Sequence, residues 1–222
     1  MERSEWLKGQ RRDAEERYDT LWAADYAEKW GVYSNATHLK FIKGLLNHIP
    51  QGSTILDAAC GAGRYFQMLF DEGYTVVGID QSGGMLGSAR VKYPEIRLDR
   101  VGLQEMTFQE AFEGIICVDA LEHVSPEDWP PIFNNFHRAL KPGGYGYFSV
   151  EIAEEKDLED AFARMKEMGL PVVYGEMPYE DLYHYYPPLP RVKEWIQQAG
   201  FDLVEEGEGD DYHHFVIRKQ QA

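Results

Sequence analysis

The sequence predicts an α/β chain built on a doubly wound, mostly parallel sheet with helices on both faces. Three observations carry this. Short β-rich apolar runs recur along the chain. Stretches with helical spacing separate most of them, and a glycine turn follows the first run directly.

The strand-like runs are STILDAA, TVVGID, EIRLD, GIICVDA and YGYFSVE, with GRYFQMLFDEG, SGGMLGSARVK and PEDWPPIFNNFHRAL as helical stretches between them. Strand and helix in alternation give βαβ units, whose strands run parallel because each crossover returns the chain to the same end of the sheet. Upstream, residues 10 to 30 read as a polar helix studded with aromatics. Thr37 is positioned to cap a second helix carrying Leu39, Ile42, Leu45, Leu46 and Ile49 at helical spacing. Downstream, AEEKDLEDAFARMKEMG reads as a helix, followed by the Pro/Tyr-rich PVVYGEMPYEDLYHYYPPLP and by the helix RVKEWIQQAG, which Pro190 precedes. FDLVEE and YHHFVIRK, joined by GEGDD, form a closing antiparallel hairpin. The expected organisation is one domain over 1–222, with an N-terminal capping region at 1–36 and an insertion or lid at 151–190.

Composition narrows the function classes. A chain of 222 residues with 44% apolar and 14% aromatic residues closes a sizeable core. Its formal charge of -16, with no Lys/Arg run, disfavours a nucleic-acid substrate and favours small molecules. No leader-like apolar segment and no run of 18 apolar residues occurs, so the expectation is a cytoplasmic protein with no membrane partner. Cys60 and Cys117 have neither CxxC spacing nor a disulfide framework, which suits a reducing compartment. Without HxxxH or paired-acid spacing, no metal is expected.

In such a sheet ligands sit beyond the carboxyl ends of the strands, and the first strand-to-helix turn is the usual cradle. Gly61 and Gly63 fall in that turn of ILDAACGAGRY, where bare backbone admits a ligand and the N-terminus of the helix from Arg64 offers N–H groups to an anion. Asp57, one turn earlier, suits a ligand ammonium instead. Asp80 ends the second strand 19 positions beyond Gly61, where an acid accepts hydrogen bonds from both ribose hydroxyls. A nicotinamide fingerprint would need its third glycine at Phe66, so a pyrophosphate turn fits poorly. A nucleoside carrying an amino acid fits better.

Taken in order, ILDAACGAGRY, VVGIDQS, GLQEM, CVDALEHV and RALKPGGYGYFSV resemble the class I S-adenosylmethionine-dependent methyltransferases of the small-molecule type, over roughly residues 15 to 218. The resemblance implies a seven-stranded Rossmann-like sheet with its last strand antiparallel, S-adenosylmethionine in the glycine turn and Asp80 on its ribose. It places adenine between Gln81 to Met85 and the segment of Leu103 and Gln104, and carries Val118 to the same cofactor site. In the family an acid commonly follows the glycine of the third motif; here Gly102 is followed by Leu103. RYDTLWAADYAEKW is similar to the family's capping helix, which would bring Tyr18 and Tyr26 over the methionine end. Tyr18, Trp22, Tyr26 and Trp30 at fourfold spacing equally suit the buried face of a helix.

Methyl transfer is an in-line displacement that chiefly needs the acceptor held behind the methyl group, with a base when the acceptor must lose a proton. His123 after strand four, Glu151 at the end of strand five and His213 at the start of the last strand meet at one rim, and His184 belongs to the insertion above it. These four are the candidate catalytic residues. His213 and His214, adjacent on a strand, point to opposite faces, so at most one enters a pocket. The tyrosines of the insertion suit either a substrate lid or ordinary packing. The expected activity is methyl transfer to an O or N nucleophile of a small molecule, yielding S-adenosylhomocysteine. Two other readings stay open: a non-catalytic protein that binds this cofactor or its product and uses the Tyr-rich insertion for partner contact, and a nicotinamide oxidoreductase on the same kind of sheet.

Overall fold

The computed structural model describes residues 1–22, 35–179 and 182–221. Seven strands form one sheet: β1 (Thr54–Ala58), β2 (Thr75–Asp80), β3 (Arg97–Arg100), β4 (Phe112–Cys117), β5 (Leu140–Glu151), β8 (Phe201–Gly209) and β9 (Tyr212–Lys219). Their spatial order is β3-β2-β1-β4-β5-β9-β8. β1 to β5 pair in parallel, whereas β9 runs antiparallel to both neighbours. The strand order reverses at β1 and β4, the point at which an open α/β sheet leaves a crevice beyond its carboxyl ends.

Period-two alternation along each strand divides the core. Leu56, Ile79, Ile115, Phe148 and Phe215 face one side of the sheet, and Ile55, Val76, Ile116, Tyr147 and Val216 face the other. On the first side lie α5 (Trp129–Ala139) and α7 (Leu189–Gln198), burying Trp129, Phe133, Phe136, Val192 and Trp195. The second is covered by α2 (Ala36–Leu46), α3 (Phe66–Asp71) and α4 (Gly83–Lys92). Such two-sided burial explains why the strands read as apolar runs.

Several local expectations are corrected. The N-terminal helix begins well before residue 10: α1 spans Arg3–Arg17 and runs into a π-helical turn, Tyr18–Trp22. Residues 23 to 30 of the expected helix, Tyr26 and Trp30 among them, lie outside the described residues. α2 is capped by Asn35, whose side chain accepts from His38 N at 2.8 Å; Thr37 is already helical, and its hydroxyl donates to Asp210 at 2.7 Å. α3 starts at Phe66 rather than Arg64, because Cys60 to Tyr65 wind through a glycine turn first. After α6 (Glu155–Glu167), the Pro/Tyr-rich segment folds into a small antiparallel ladder, β6 (Glu176–Tyr179) with β7 (Leu182–Tyr185). Pro190 sits inside the first turn of α7, where a missing N–H costs nothing. Asp210 and Asp211 take positive φ of 54° and 66° between β8 and β9, the geometry of a tight hairpin turn. Among the described residues no helix is long and apolar enough to cross a membrane.

Candidate active site

A cavity of about 600 Å³ opens beyond the carboxyl ends of β1, β2 and β4, with α1 walling it through Leu7, Arg11 and Ala14 and the π-helical turn adding Tyr18. Its floor holds Gly61, Asp80, Gln81, Met85, Leu103 and Gln104, and its inner end holds Asp119 and His123. The volume suits a nucleoside-sized ligand.

The glycine turn builds the floor. Ala59, Gly61 and Gly63 all have positive φ, at 63°, 53° and 80°. The two glycines divide the work. A Cβ on Gly63 would stand 2.5 Å from Phe66 Cδ2, so this glycine serves the turn and lines neither cavity; Gly61 lines the pocket wall. Asp80 draws the turn in, accepting from Gly61 N and Ser82 N at 2.8 Å each. Burial raises the Asp80 carboxyl above its usual value, against the pull of these N–H groups. The carboxylate retains acceptor capacity beyond its backbone bonds.

A second, much smaller cavity of about 30 Å³ adjoins the turn, lined by Asp57, Gly61, Arg64, Tyr65, Val118 and Asp119 among others. Asp57 is buried, and among the described residues its Oδ2 has no hydrogen-bond partner. Burial, with Asp80 nearby, pushes this carboxyl up to about 8.

At the inner end the π-helical turn delivers Tyr18, whose hydroxyl lies 2.9 Å from His123 Nε2. His123 sits in a 3-10 turn after β4 and meets His184 edge-on at 4.6 Å between ring centres; His184 Nε2 is 3.8 Å from Glu151 Oε2. Burial holds both histidines neutral, His184 down to about 3 with His123 adding to the effect. Glu151 pairs with Tyr212 across β5 and β9, as the topology requires, and burial with Asp119 nearby raises it to about 7. Neither Glu151 nor His184 lines the large cavity.

His213 is corrected. It stands apart from this group, its ring nitrogens 3.0 and 3.2 Å from Glu206 and Glu208 of β8. Strand alternation is the reason: His214 takes the opposite face, bonding Tyr147 at 2.9 Å.

Sequence reasoning missed Asp119, which borders both cavities. It has φ of 56°, takes Arg64 at 3.2 Å and receives the Tyr212 hydroxyl. Burial raises it, but Arg64 and Tyr212 outweigh burial and leave the carboxylate below its usual value. Its signal was available: an acid directly after the apolar run IICV repeats the logic of Asp80 after VVGI. His38, buried with its Nδ1 3.1 Å from Tyr65 Oη, also went unnoticed, because its helical spacing reads as packing. Among the described residues no group of three or more metal-ligating side chains is arranged to hold an ion.

Residues 55–144 match the model of a methyltransferase domain. An uncharacterized methyltransferase of Synechocystis is 34% identical over 97 residues, covering 43% of this chain and 46% of that one. The chain spans about half the length of the first curated relatives it matches. Among solved structures, a SAM-dependent methyltransferase from Methanosarcina mazei superposes with a TM-score of 0.70 at 17% identity, covering 80% of this chain and 97% of that one. Magnesium protoporphyrin IX methyltransferase from Synechocystis, solved with bound SAM, also reaches 0.70 at 14% identity, over 95% of this chain and 97% of that one.

Proposed function

We propose that this chain, which belongs to the class I S-adenosylmethionine-dependent methyltransferases, transfers a methyl group from that cofactor to an O or N nucleophile of a small molecule. One arrangement carries the reading: a single cavity has Asp80 and the bare Gly61 backbone at one end and the Tyr18–His123 pair at the other.

The residues fit the cofactor. Asp80 is held at the correct rim by two backbone N–H groups and keeps lone pairs for the ribose hydroxyls. Met85, Leu103 and Gln104 offer apolar surface and backbone groups to adenine. Asp57, with an unpartnered buried oxygen beside Gly61, suits the amino-acid end, since an ammonium group would supply the missing donor. When bound, the cofactor supplies a methyl carbon made electrophilic by its sulfonium sulfur.

The chain's own residues then have two tasks. Holding the acceptor in line is the larger. Removing its proton falls to His123, which is neutral and borders the cavity, with Tyr18 fixing the ring and with His184 and Glu151 behind it. The N-terminal helix and the β6–β7 ladder act as a cap: Trp6 packs edge-on to Tyr183, and both Tyr18 and Tyr183 line the pocket.

Calorimetric titration with S-adenosylmethionine and S-adenosylhomocysteine tests the reading, followed by an acceptor screen with labelled methyl donor. Micromolar binding of both and label transfer to a small molecule are expected. Binding of neither refutes it, and binding without transfer across a broad panel refutes the enzymatic part.

A further inference from the structure

The inner end of the large cavity holds a proton path with a fixed direction. A neutral imidazole has one donor nitrogen and one acceptor nitrogen. Burial keeps His123 neutral, and its Nδ1 lies 3.5 Å from the backbone oxygen of Tyr183, which can only accept. Nδ1 therefore carries the proton. Nε2 is the acceptor, and the Tyr18 hydroxyl at 2.9 Å donates to it. A phenol oxygen that donates one hydrogen bond also accepts through its lone pairs, and Tyr18 lines the cavity together with His123. A ligand at this end meets a hydrogen-bond acceptor with a base behind it.

Charge at this end is already matched. Asp119 takes Arg64 at 3.2 Å and the hydroxyl of Tyr212. The other carboxylates of the lining lie elsewhere: Asp80 on the glycine turn, Glu127 on Arg3, and Asp128 with Gln104. The cations of α1 are set back along the helix. Lys8 and Arg11 precede Tyr18 by ten and seven residues, about 15 and 10 Å at a rise of roughly 1.5 Å per residue. Arg3 is held by Glu127 and Glu176.

We infer that the methyl acceptor is a neutral phenol, with its ring between Tyr18, Tyr183 and Val124 and its O–H donating to Tyr18 Oη. The inference rests on the methyltransferase reading, narrows its substrate class and makes Tyr18 a catalytic residue alongside His123. An ammonium or a carboxylate would enter a place with no counter-charge to spare for it. An aliphatic alcohol brings the same donor but is a far weaker acid, so giving its proton to Tyr18 is uphill. A phenol matches the tyrosine value of about 10.

The step balances on these atoms. The acceptor's proton passes to Tyr18 Oη as the Tyr18 proton passes to His123 Nε2, so the tyrosine ends neutral and the imidazole carries the charge. The electron pair left on the acceptor oxygen makes the bond to the methyl carbon and displaces the thioether, which keeps the pair of the broken C–S bond. Around the imidazolium stand Asp119, Glu122 with Oε1 3.9 Å from Nε2, His184, Tyr18 and the Tyr183 carbonyl, and the ionised Asp119 offsets its charge. The proton leaves to solvent after the product.

Protein loaded with S-adenosylhomocysteine, which supports no turnover, is titrated calorimetrically with phenol, benzyl alcohol, benzylamine and benzoate, and with the corresponding naphthalene compounds. In at least one series the phenolic compound should bind tenfold or more tightly than the amine and the carboxylate, and more tightly than the alcohol. Tyr18→Phe should remove most of that advantage. Nitrogen NMR of histidine-labelled protein, with His123 assigned by its loss in His123→Gln, should show Nδ1 protonated and Nε2 bare, and Nε2 should shift in Tyr18→Phe. Equal or tighter binding by the amine, alcohol or carboxylate in both series, no binding by either phenolic compound, an advantage that survives Tyr18→Phe, or a proton on His123 Nε2 overturns the inference and leaves the methyltransferase reading intact. Failure of S-adenosylhomocysteine itself to bind removes both.

Discussion

Tyr18 Oη lies 2.9 Å from His123 Nε2, and their rings meet edge-on at 5.6 Å, so one hydrogen bond ties the end of the N-terminal helix to the loop after β4. Replacing Tyr18 by Phe removes the bond and leaves the ring. Methyl transfer should slow roughly tenfold with cofactor affinity little changed, and His123→Gln should cost on the order of 10² in rate. The pH sign is definite. Burial lowers His123 below 6.5, so the base is competent at neutral pH and the rate falls only as pH drops below that value. An unaltered acid limb in His123→Gln would remove it as the base.

Asp80 bridges the glycine turn and the start of α4 by accepting from Gly61 N and Ser82 N. Asp80→Ala should weaken cofactor binding by about 1.5 to 3 kcal/mol, the range for hydrogen bonds to a charged group. Calorimetric dissociation constants decide it; an unchanged value refutes the ribose assignment.

Asp57 makes ligand-free stability depend on pH. Its folded carboxyl sits at about 8 against 3.8, so between those values the folded state keeps a proton that the unfolded state has released. Stability therefore falls as pH rises through that window, by up to a few kcal/mol at roughly 1.4 kcal/mol per unit. Asp57→Asn should flatten this dependence in urea titrations at pH 5 and pH 8 while weakening cofactor binding. Parallel pH profiles for the two proteins would contradict the assignment.

Glu176 ties the cap together. Its side chain is fully buried, and it takes Arg3 through both oxygens at 2.7 and 2.9 Å, Tyr183 Oη at 2.6 Å and Val173 N at 2.7 Å. Arg3 keeps Glu127 as a partner, so truncating Glu176 costs chiefly the hydrogen bonds it accepts, about 1 to 3 kcal/mol. Because α1 closes one side of the cavity, Glu176→Ala should speed hydrogen exchange in α1 and raise the cofactor dissociation constant several-fold. Exchange in α1 no faster than in the parent would show that the helix is held by other contacts.

Gly63 tests the turn. Alanine there combines φ of 80° with a Cβ 2.5 Å from the Phe66 ring, a strain on the order of 1 to 3 kcal/mol. A lower thermal midpoint is expected for Gly63→Ala, and an unchanged midpoint would mean the turn relaxes without loss.

The layout of the sheet was legible because its signals are local: period-two apolar runs, glycine turns and intervening helical spacing each act within a few residues. The rim positions of Asp57 and Asp80 were legible for the same reason, since a doubly wound sheet brings its strand ends to one rim, whereas Leu103 and Gln104 came from the family resemblance. Asn35 displaced Thr37 as the helix cap because a cap depends on one backbone angle, which a string of capping residues leaves open.

What the sequence by itself determined, then, is the α/β sheet with its antiparallel last strand and the rim at which a ligand must lie. Only the tertiary structure decided which side chains act together there. It joined Tyr18 to His123 across 105 residues, set Asp119 between Arg64 and Tyr212, and turned His213 away to Glu206 and Glu208. The physical reason is that hydrogen bonds and charge shifts depend on distances of a few ångströms and on burial. Both are set by packing between elements far apart in the chain, and neither is written into any one segment.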